Sequence, residues 1–291
     1  MFFGSIPALI TPFTNGQIDD AAFQRFVAWQ IAQGSNGLVP SGSTGESATM
    51  SHAEHERVIR LCVEAAAGRV PVIAGTGSNS TSEAISLTQA AQKSGADAAL
   101  VVTPYYNKPT QEGLYQHYKA IHDSVDIPII VYNIPGRSVI DVSVETMARM
   151  AKLPRIVGVK DATADLTRPP RVRQAIGPDF CQLSGEDPTA AAFLIQGGHG
   201  LISVTANVAP ALSSGLQAAW RKGDIAEVMR IRDLLTPLNT ALFAEVNPIP
   251  VKYAVSLLGY CDGTVRLPLV EASPETRKAV EAAMRHAGVL N

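Results

Sequence analysis

Ile156-Val157-Gly158-Val159-Lys160-Asp161 is the stretch on which the fold of this chain turns. Three branched aliphatic side chains and a glycine run without a break into a lysine. A strand with one wet face alternates apolar and polar residues. A strand covered on both faces reads as a continuous apolar run, as in parallel sheets. Runs of the same kind lie at residues 127–132, 98–103, 70–75, 37–41 and 5–10 on one side, and at 181–184 and 200–204 on the other. With 156–160 they number eight.

Helical patterns fill most of the gaps. Ser51 with Glu54, and Ser80 with Glu83, have the spacing of a capping box, in which a hydroxyl and a carboxylate satisfy free N–H groups at a helix start. The helix after Ser80 is predicted to run through Ile85, Leu87 and Ala91 and to stop near Gly95. Strand–helix units repeated this often indicate a closed barrel or a doubly wound sheet, and eight runs favour a (β/α)₈ TIM barrel. The chain's 291 residues suit one barrel with additional elements. Helical patterns at 224–244, 250–258 and 273–287 follow the last run; the third has Ser273 as N-cap, Pro274 at its first turn and Gly288 beyond its end. The expected organisation is a barrel domain over residues 1–224 and a small C-terminal helical extension over 225–291.

Hydrophobic residues make up 46% of the chain, enough for a large core. Charged residues make up 17%, below the roughly 25% usual for soluble domains. A covered subunit interface and a large core both account for that. A net charge of -2 with no run of like charges leaves no footprint for nucleic acid. Cys62, Cys181 and Cys261 are widely spaced and form no CxxC pair, so neither a disulfide framework nor a zinc site is indicated. The start, MFFGSIPALITPF, lacks a basic region and is broken by Pro7 and Pro12, so it reads as a first strand rather than a leader. No apolar stretch reaches the roughly 18 residues of a membrane span. The expectation is a soluble, cytoplasmic protein that binds neither membrane nor nucleic acid.

In a barrel of this kind, chemistry sits where strands end. Lys160 ends the central run. Burial there strips solvent from an ammonium group, and a neutral amine can attack a carbonyl. The alternative is a lysine paired with a carboxylate such as Asp161. Tyr132 and Tyr106 end or follow neighbouring runs and can pass protons, with the Thr44 hydroxyl as a bridge; they can equally cap the barrel with their hydroxyls in water. Gly42-Ser43-Thr44-Gly45 is either a nest of N–H groups for an anion or a tight turn, and no GK[ST] follows to make it a phosphate loop. Arg137, after Pro135-Gly136, is a carboxylate fork or an ordinary surface arginine. His52 and His55 lie three apart, which is not the HExxH spacing, so a solvated or interface helix start explains them better than a metal does.

Taken together, these segments resemble the dihydrodipicolinate synthase family, within the pyruvate-dependent Schiff-base aldolase and N-acetylneuraminate lyase superfamily. The resemblance runs from Gly4-Ser5-Ile6 through Asn247-Pro248-Ile249-Pro250-Val251-Lys252, nearly the whole chain. It implies that Lys160 forms an imine with pyruvate, with no other cofactor and no metal. The derived enamine would attack the aldehyde carbon of L-aspartate 4-semialdehyde, and ring closure by the substrate amine would release the lysine. Thr44, Tyr132 and Tyr106 match the family's proton relay, in which the tyrosine at the Tyr106 position comes from the neighbouring subunit. Arg137 matches the arginine of Tyr-Asn-x-Pro-x-Arg that receives the semialdehyde carboxylate. Ser43 and Thr44 would hold the pyruvate carboxylate, and Gly185 and Ile202 would line the pocket. Ser43 stands where a threonine is usual, keeping the hydroxyl, and Asp161 stands where a glutamate is common.

The resemblance also implies an effector site. Ser47, Ala48, His52, His55, Asn79, Glu83 and Tyr105 match the set that binds lysine in inhibited members, in a cleft between tightly paired subunits. The implied assembly is a homotetramer built as a dimer of tight dimers. Two rival readings differ in testable ways. A 2-keto-3-deoxy-sugar-acid aldolase or N-acetylneuraminate lyase would share the imine, but Arg137 argues against it and an assay with both aldehyde classes separates them. A barrel that merely senses a keto acid would have no reason to keep Lys160, Tyr132, Tyr106 and Thr44 together.

Overall fold

Each apolar run forms a strand or a bridge in one parallel sheet. The computed structural model describes all 291 residues. Seven strands are hydrogen-bonded side by side: β1 (Gly4–Pro7), β4 (Ile73–Gly75), β5 (Ala98–Val102), β6 (Ile129–Asn133), β7 (Ile156–Asp161), β8 (Cys181–Ser184) and β9 (Gly200–Ser203). Their spatial order is β1-β9-β8-β7-β6-β5-β4. The run at 37–41 closes the circle, because Val39 bridges Ala8 beyond β1 and Leu38 bridges Val72 before β4, both parallel. Pro7, Pro40 and Pro71 flank these bridges and bring no N–H, so no longer ladder forms there. The result is the (β/α)₈ barrel.

A two-strand hairpin, β2 (Phe13–Thr14) with β3 (Gln17–Ile18), lies between β1 and the first helix. Its turn residues Asn15 and Gly16 both have positive φ, 51° and 75°, the geometry that an Asn-Gly pair accepts in a two-residue hairpin. Outside the sheet, α1 (Asp20–Ala32), α2 (His52–Ala66), α3 (Thr81–Lys93) and α4 (Gln111–Ser124) alternate with the strands. Next come the short α5 (Pro135–Ser138), then α6 (Val144–Met150), α7 (Arg168–Ile176), α8 (Ala190–Ile195) and α9 (Pro210–Lys222). The Ser51–Glu54 capping box forms at the start of α2. The one expected at Ser80–Glu83 does not: Ser80 makes no side-chain cap, and the Glu83 carboxylate instead takes a hydrogen bond from Ser78 and meets the His52 ring at 2.8 Å. A carboxylate with two better partners is not available to its own helix start.

Inside the barrel, Ile6, Val39, Leu100, Ile130, Leu183 and Ile202 interdigitate, with Tyr132 among them. A second layer joins the outer faces of β5–β7 to α4 and α6. The third apolar body joins α1 and α2 to α9 and to three further helices, α10 (Ile225–Ala241), α11 (Ile249–Leu257) and α12 (Pro274–His286). Phe23 and Phe26 of α1 share that body with Val280 and Met284 of α12. The last three helices are therefore packed onto the barrel through common core. No helix is long and apolar enough to cross a membrane.

Candidate active site

Lys160 and Tyr132 are cross-strand partners in the β6–β7 ladder. Side chains on adjacent strands at one register point the same way, so the Lys160 amine comes to lie 4.1 Å from the centre of the Tyr132 ring. Lys160 is 6% exposed, and its Nζ enters no hydrogen bond or ion pair. Asp161, one residue on, faces the opposite side of the sheet. There it accepts from Arg168 Nε at 3.1 Å and from the Thr163 N–H at 2.9 Å. The alternative of a Lys160–Asp161 pair is ruled out by that alternation. Arg168 is shared with the half-exposed Asp141, so Asp161 is the buried anchor of a network on the outer wall.

β8 supplies the wall beside the amine. A methyl at Gly185 would sit 3.1 Å from Lys160 Cε and 2.7 Å from Ala162 Cβ, so the absence of a side chain there makes the room the lysine occupies. Ile202 of β9 is buried in the barrel core below. Burial raises the Glu186 carboxyl above its ordinary range; Asp187 beside it adds to the rise and Lys160 opposes it.

The loop after the bridging segment forms a turn closed by Gly45 N–H to Gly42 O at 3.0 Å and Glu46 N–H to Ser43 O at 3.2 Å. The N–H groups of Ser43 and Thr44 take no partner in the chain, which leaves two donors side by side for an anion. The tight-turn reading of this loop is therefore the one formed, and the two free N–H groups are what an anion would meet. Thr44 is buried, and its Oγ1 accepts from Asn247 Nδ2 at 2.9 Å. Arg137 in α5 donates from Nη2 to the Asn247 carbonyl at 3.0 Å.

A cavity of about 450 Å³ opens here, the size of a small-molecule site. Its lining includes Ser43, Tyr132 and Arg137, and continues to Ser47, Ala48, His52, His55, Glu83 and Tyr105. Lys160, Thr44, Gly185, Ile202 and Asn79 are not among the residues that line it, though the Asn79 amide donates to the carbonyl of the lining residue Tyr105 at 3.2 Å. Tyr106 is the residue the structure does not bring to this site. It is 87% exposed, with φ at 72°.

His52 and His55 do not converge on one point. His52 turns to Glu83; His55 Nε2 lies 2.8 Å from the Gly75 carbonyl, so that nitrogen carries the hydrogen. Burial lowers the His55 pKa, and its Nδ1 is a buried lone pair without a partner. The Ser78 hydroxyl and then His52 hold the Glu83 carboxyl below its usual range.

Sequence reading missed four groups near the site, Glu46, Lys252, Arg266 and Phe13. Glu46 and Lys252 form a fully buried ion pair at 2.7 Å. The Arg266 N–H donates to the other Glu46 oxygen at 2.8 Å. Two cations meet the Phe13 ring, with Lys252 Nζ and Arg266 Cζ each 4.2 Å from its centre. Asn247 and Lys252 stand at the two ends of the motif that closed the resemblance, but only their long-range partners reveal what they hold.

Residues 1–287 match the dihydrodipicolinate synthetase family. The chain is 70% identical over 290 residues to the 4-hydroxy-tetrahydrodipicolinate synthase of Rhodospirillum centenum, with all of both chains covered. Among solved structures it is similar to the chloride-inhibited dihydrodipicolinate synthase of Acinetobacter baumannii complexed with pyruvate, at 45% identity and TM-score 0.97 with all of both chains covered. It is also similar to the dihydrodipicolinate synthase of Cyanidioschyzon merolae with lysine bound, at 38% identity and TM-score 0.96 over 99% of each chain.

Proposed function

The chain belongs to the dihydrodipicolinate synthetase family and is an aldolase-type lyase that makes 4-hydroxy-tetrahydrodipicolinate; we propose that it does so by joining pyruvate to L-aspartate 4-semialdehyde through an imine on Lys160. The amine adds to the pyruvate carbonyl and water leaves. The imine draws electrons from the adjacent methyl, which gives up a proton and becomes an enamine carbon. That carbon attacks the aldehyde, whose oxygen takes a proton. The substrate amine then closes the ring at the imine carbon and displaces Lys160. Tyr132, Thr44 and a Tyr106 from a neighbouring subunit carry the protons; Arg137 holds the semialdehyde carboxylate, and Ser43 and Thr44 hold that of pyruvate. Gly185 and Ile202 shape the pocket. The covalent imine takes the place of a cofactor.

The observation that carries this reading is an unpaired lysine amine, enclosed by the barrel, 4.1 Å from the ring of a tyrosine that lines the cavity. Sodium borohydride added with pyruvate is expected to fix one pyruvate unit on the peptide that contains Lys160. Labelling at another lysine, or none, overturns the assignment.

We further propose that lysine inhibits the enzyme from the arm of the cavity bounded by Ser47, Ala48, His52, His55, Asn79, Glu83 and Tyr105. A held carboxylate and a neutral imidazole lone pair are both acceptors suited to an ammonium group. The assembly we propose is a cytoplasmic homotetramer of two tight dimers. In each chain residues 1–224 form the catalytic barrel and 225–291 the helical extension.

A further inference from the structure

Asn247 belongs to the extension, between α10 and α11, yet both of its polar ends engage the barrel. The residue is 6% exposed and borders the cavity. Nδ2 donates to Thr44 Oγ1 at 2.9 Å, the main-chain carbonyl accepts from Arg137 Nη2 at 3.0 Å, and Oδ1 is buried without a partner. Five residues on, the Lys252–Glu46 pair ties the same segment to the turn that carries Thr44. A hydroxyl has one hydrogen and two lone pairs. When an amide N–H occupies a lone pair of Thr44, the Thr44 hydrogen must point elsewhere, and no other group of the chain accepts it.

We propose that Asn247 is a positioning residue for the condensation. Its amide fixes the direction of the Thr44 hydroxyl, so that Thr44 donates toward the reacting groups, and its carbonyl latches Arg137. One residue of the extension thereby sets both the proton path and the carboxylate clamp. The inference rests on the assignment of Thr44 as a proton carrier. It predicts a split between the two jobs, because one uses the side chain and the other the main chain.

The test is steady-state kinetics of Asn247→Asp, alone and in a Thr44→Val background, beside borohydride trapping of pyruvate. A carboxylate only accepts, so it pulls the Thr44 hydrogen toward itself and reverses the bond. The expected kcat loss is about 100-fold, the lower range for a general acid–base group. The semialdehyde KM should stay within about 2-fold, because the Arg137 latch is a main-chain contact, and the pyruvate adduct should still form. In the Thr44→Val background, Asn247→Asp should cost no further kcat, as expected for two residues acting through one bond. An unchanged kcat overturns the proposal, and so does an equal further loss without the Thr44 hydroxyl, since Asn247 would then act elsewhere. If Asn247→Asp does not fold, Asn247→Ala serves: it frees the hydroxyl to rotate, and a kcat equal to the parent's overturns the proposal. A parent enzyme that traps no pyruvate on Lys160 overturns the functional assignment itself, and this inference with it.

Discussion

At Gly185 the requirement is space rather than backbone freedom. A methyl there meets Lys160 Cε at 3.1 Å and Ala162 Cβ at 2.7 Å. The strand can give little, so the lysine must swing. Gly185→Ala is therefore expected to fold but to trap pyruvate at least 10-fold more slowly, since small displacements of a reacting group cost about 100-fold in favourable cases; an unaltered trapping rate would show that the amine has slack. On the proposed effector arm, His55→Leu and Glu83→Gln each remove one acceptor. A hydrogen bond to a charged group contributes roughly 1.5–3 kcal/mol, so each change should raise the lysine concentration for half inhibition about 10-fold or more while sparing kcat. Lysine inhibition that persists in both variants would move the site elsewhere. The two kinds of residue differ in how they could be read. Lys160 was legible because it interrupts an apolar run. Asn247 was not, because its partner Thr44 lies 203 positions away and nothing in the local pattern distinguishes it from a turn asparagine.

Local patterns also decided how well elements could be foreseen. At α2, Ser51 N–H donates to Glu54 at 2.9 Å, Glu54 N–H donates back to the Ser51 hydroxyl, and the spacing alone announced it. At α3 the same spacing misled, because Ser78 and His52 compete for Glu83 and only the folded chain brings His52 there. Glu54 carries a further load the spacing could not show: Arg266 meets it at 2.5 Å, and that guanidinium lowers the carboxyl from 4.5 to about 2. The sign of the linkage follows. A carboxyl whose folded pKa is depressed contributes stability that is complete above its unfolded value, and loses it as pH falls through the folded one. For Glu54 the window lies between about 4.5 and about 2. Glu54→Gln keeps the capping oxygen and removes the charge. Its melting temperature should fall about 2–4 °C below the parent's at pH 7, with the gap closing toward pH 2. A gap that stays constant with pH would assign the loss to the cap rather than to the ion pair. Most strand limits followed the apolar runs, but β1 stops at Pro7 rather than Ile10, β4 starts at Ile73 rather than Val70, and the segment around Leu38 and Val39, beside prolines that bring no N–H, forms only bridges.

For the whole molecule, the decisive residue is the one that a single chain leaves idle. Tyr106 is 87% exposed and held at φ 72°, a region that costs a non-glycine residue roughly 1–2 kcal/mol. The turn is closed by the Asn107 N–H on the Tyr105 carbonyl at 2.9 Å, but the phenol itself makes no hydrogen bond within the chain, whereas pushed outward it can enter a partner's cavity. Complementation separates the two cases. Lys160→Ala and Tyr106→Phe chains are each expected to form nearly inactive assemblies. When the two are mixed, unfolded and refolded together, half of the tight pairs should be hybrids. In a hybrid, the Tyr106→Phe chain keeps its own Lys160 and receives an intact tyrosine from the Lys160→Ala chain, while the other site stays dead. One good site in each hybrid, with hybrids as half of all pairs, gives about a quarter of parent activity, the figure a two-fold pairing dictates. If Tyr106 instead served its own chain, every site in every mixture would lack one group, and activity would stay at the level of the separate variants.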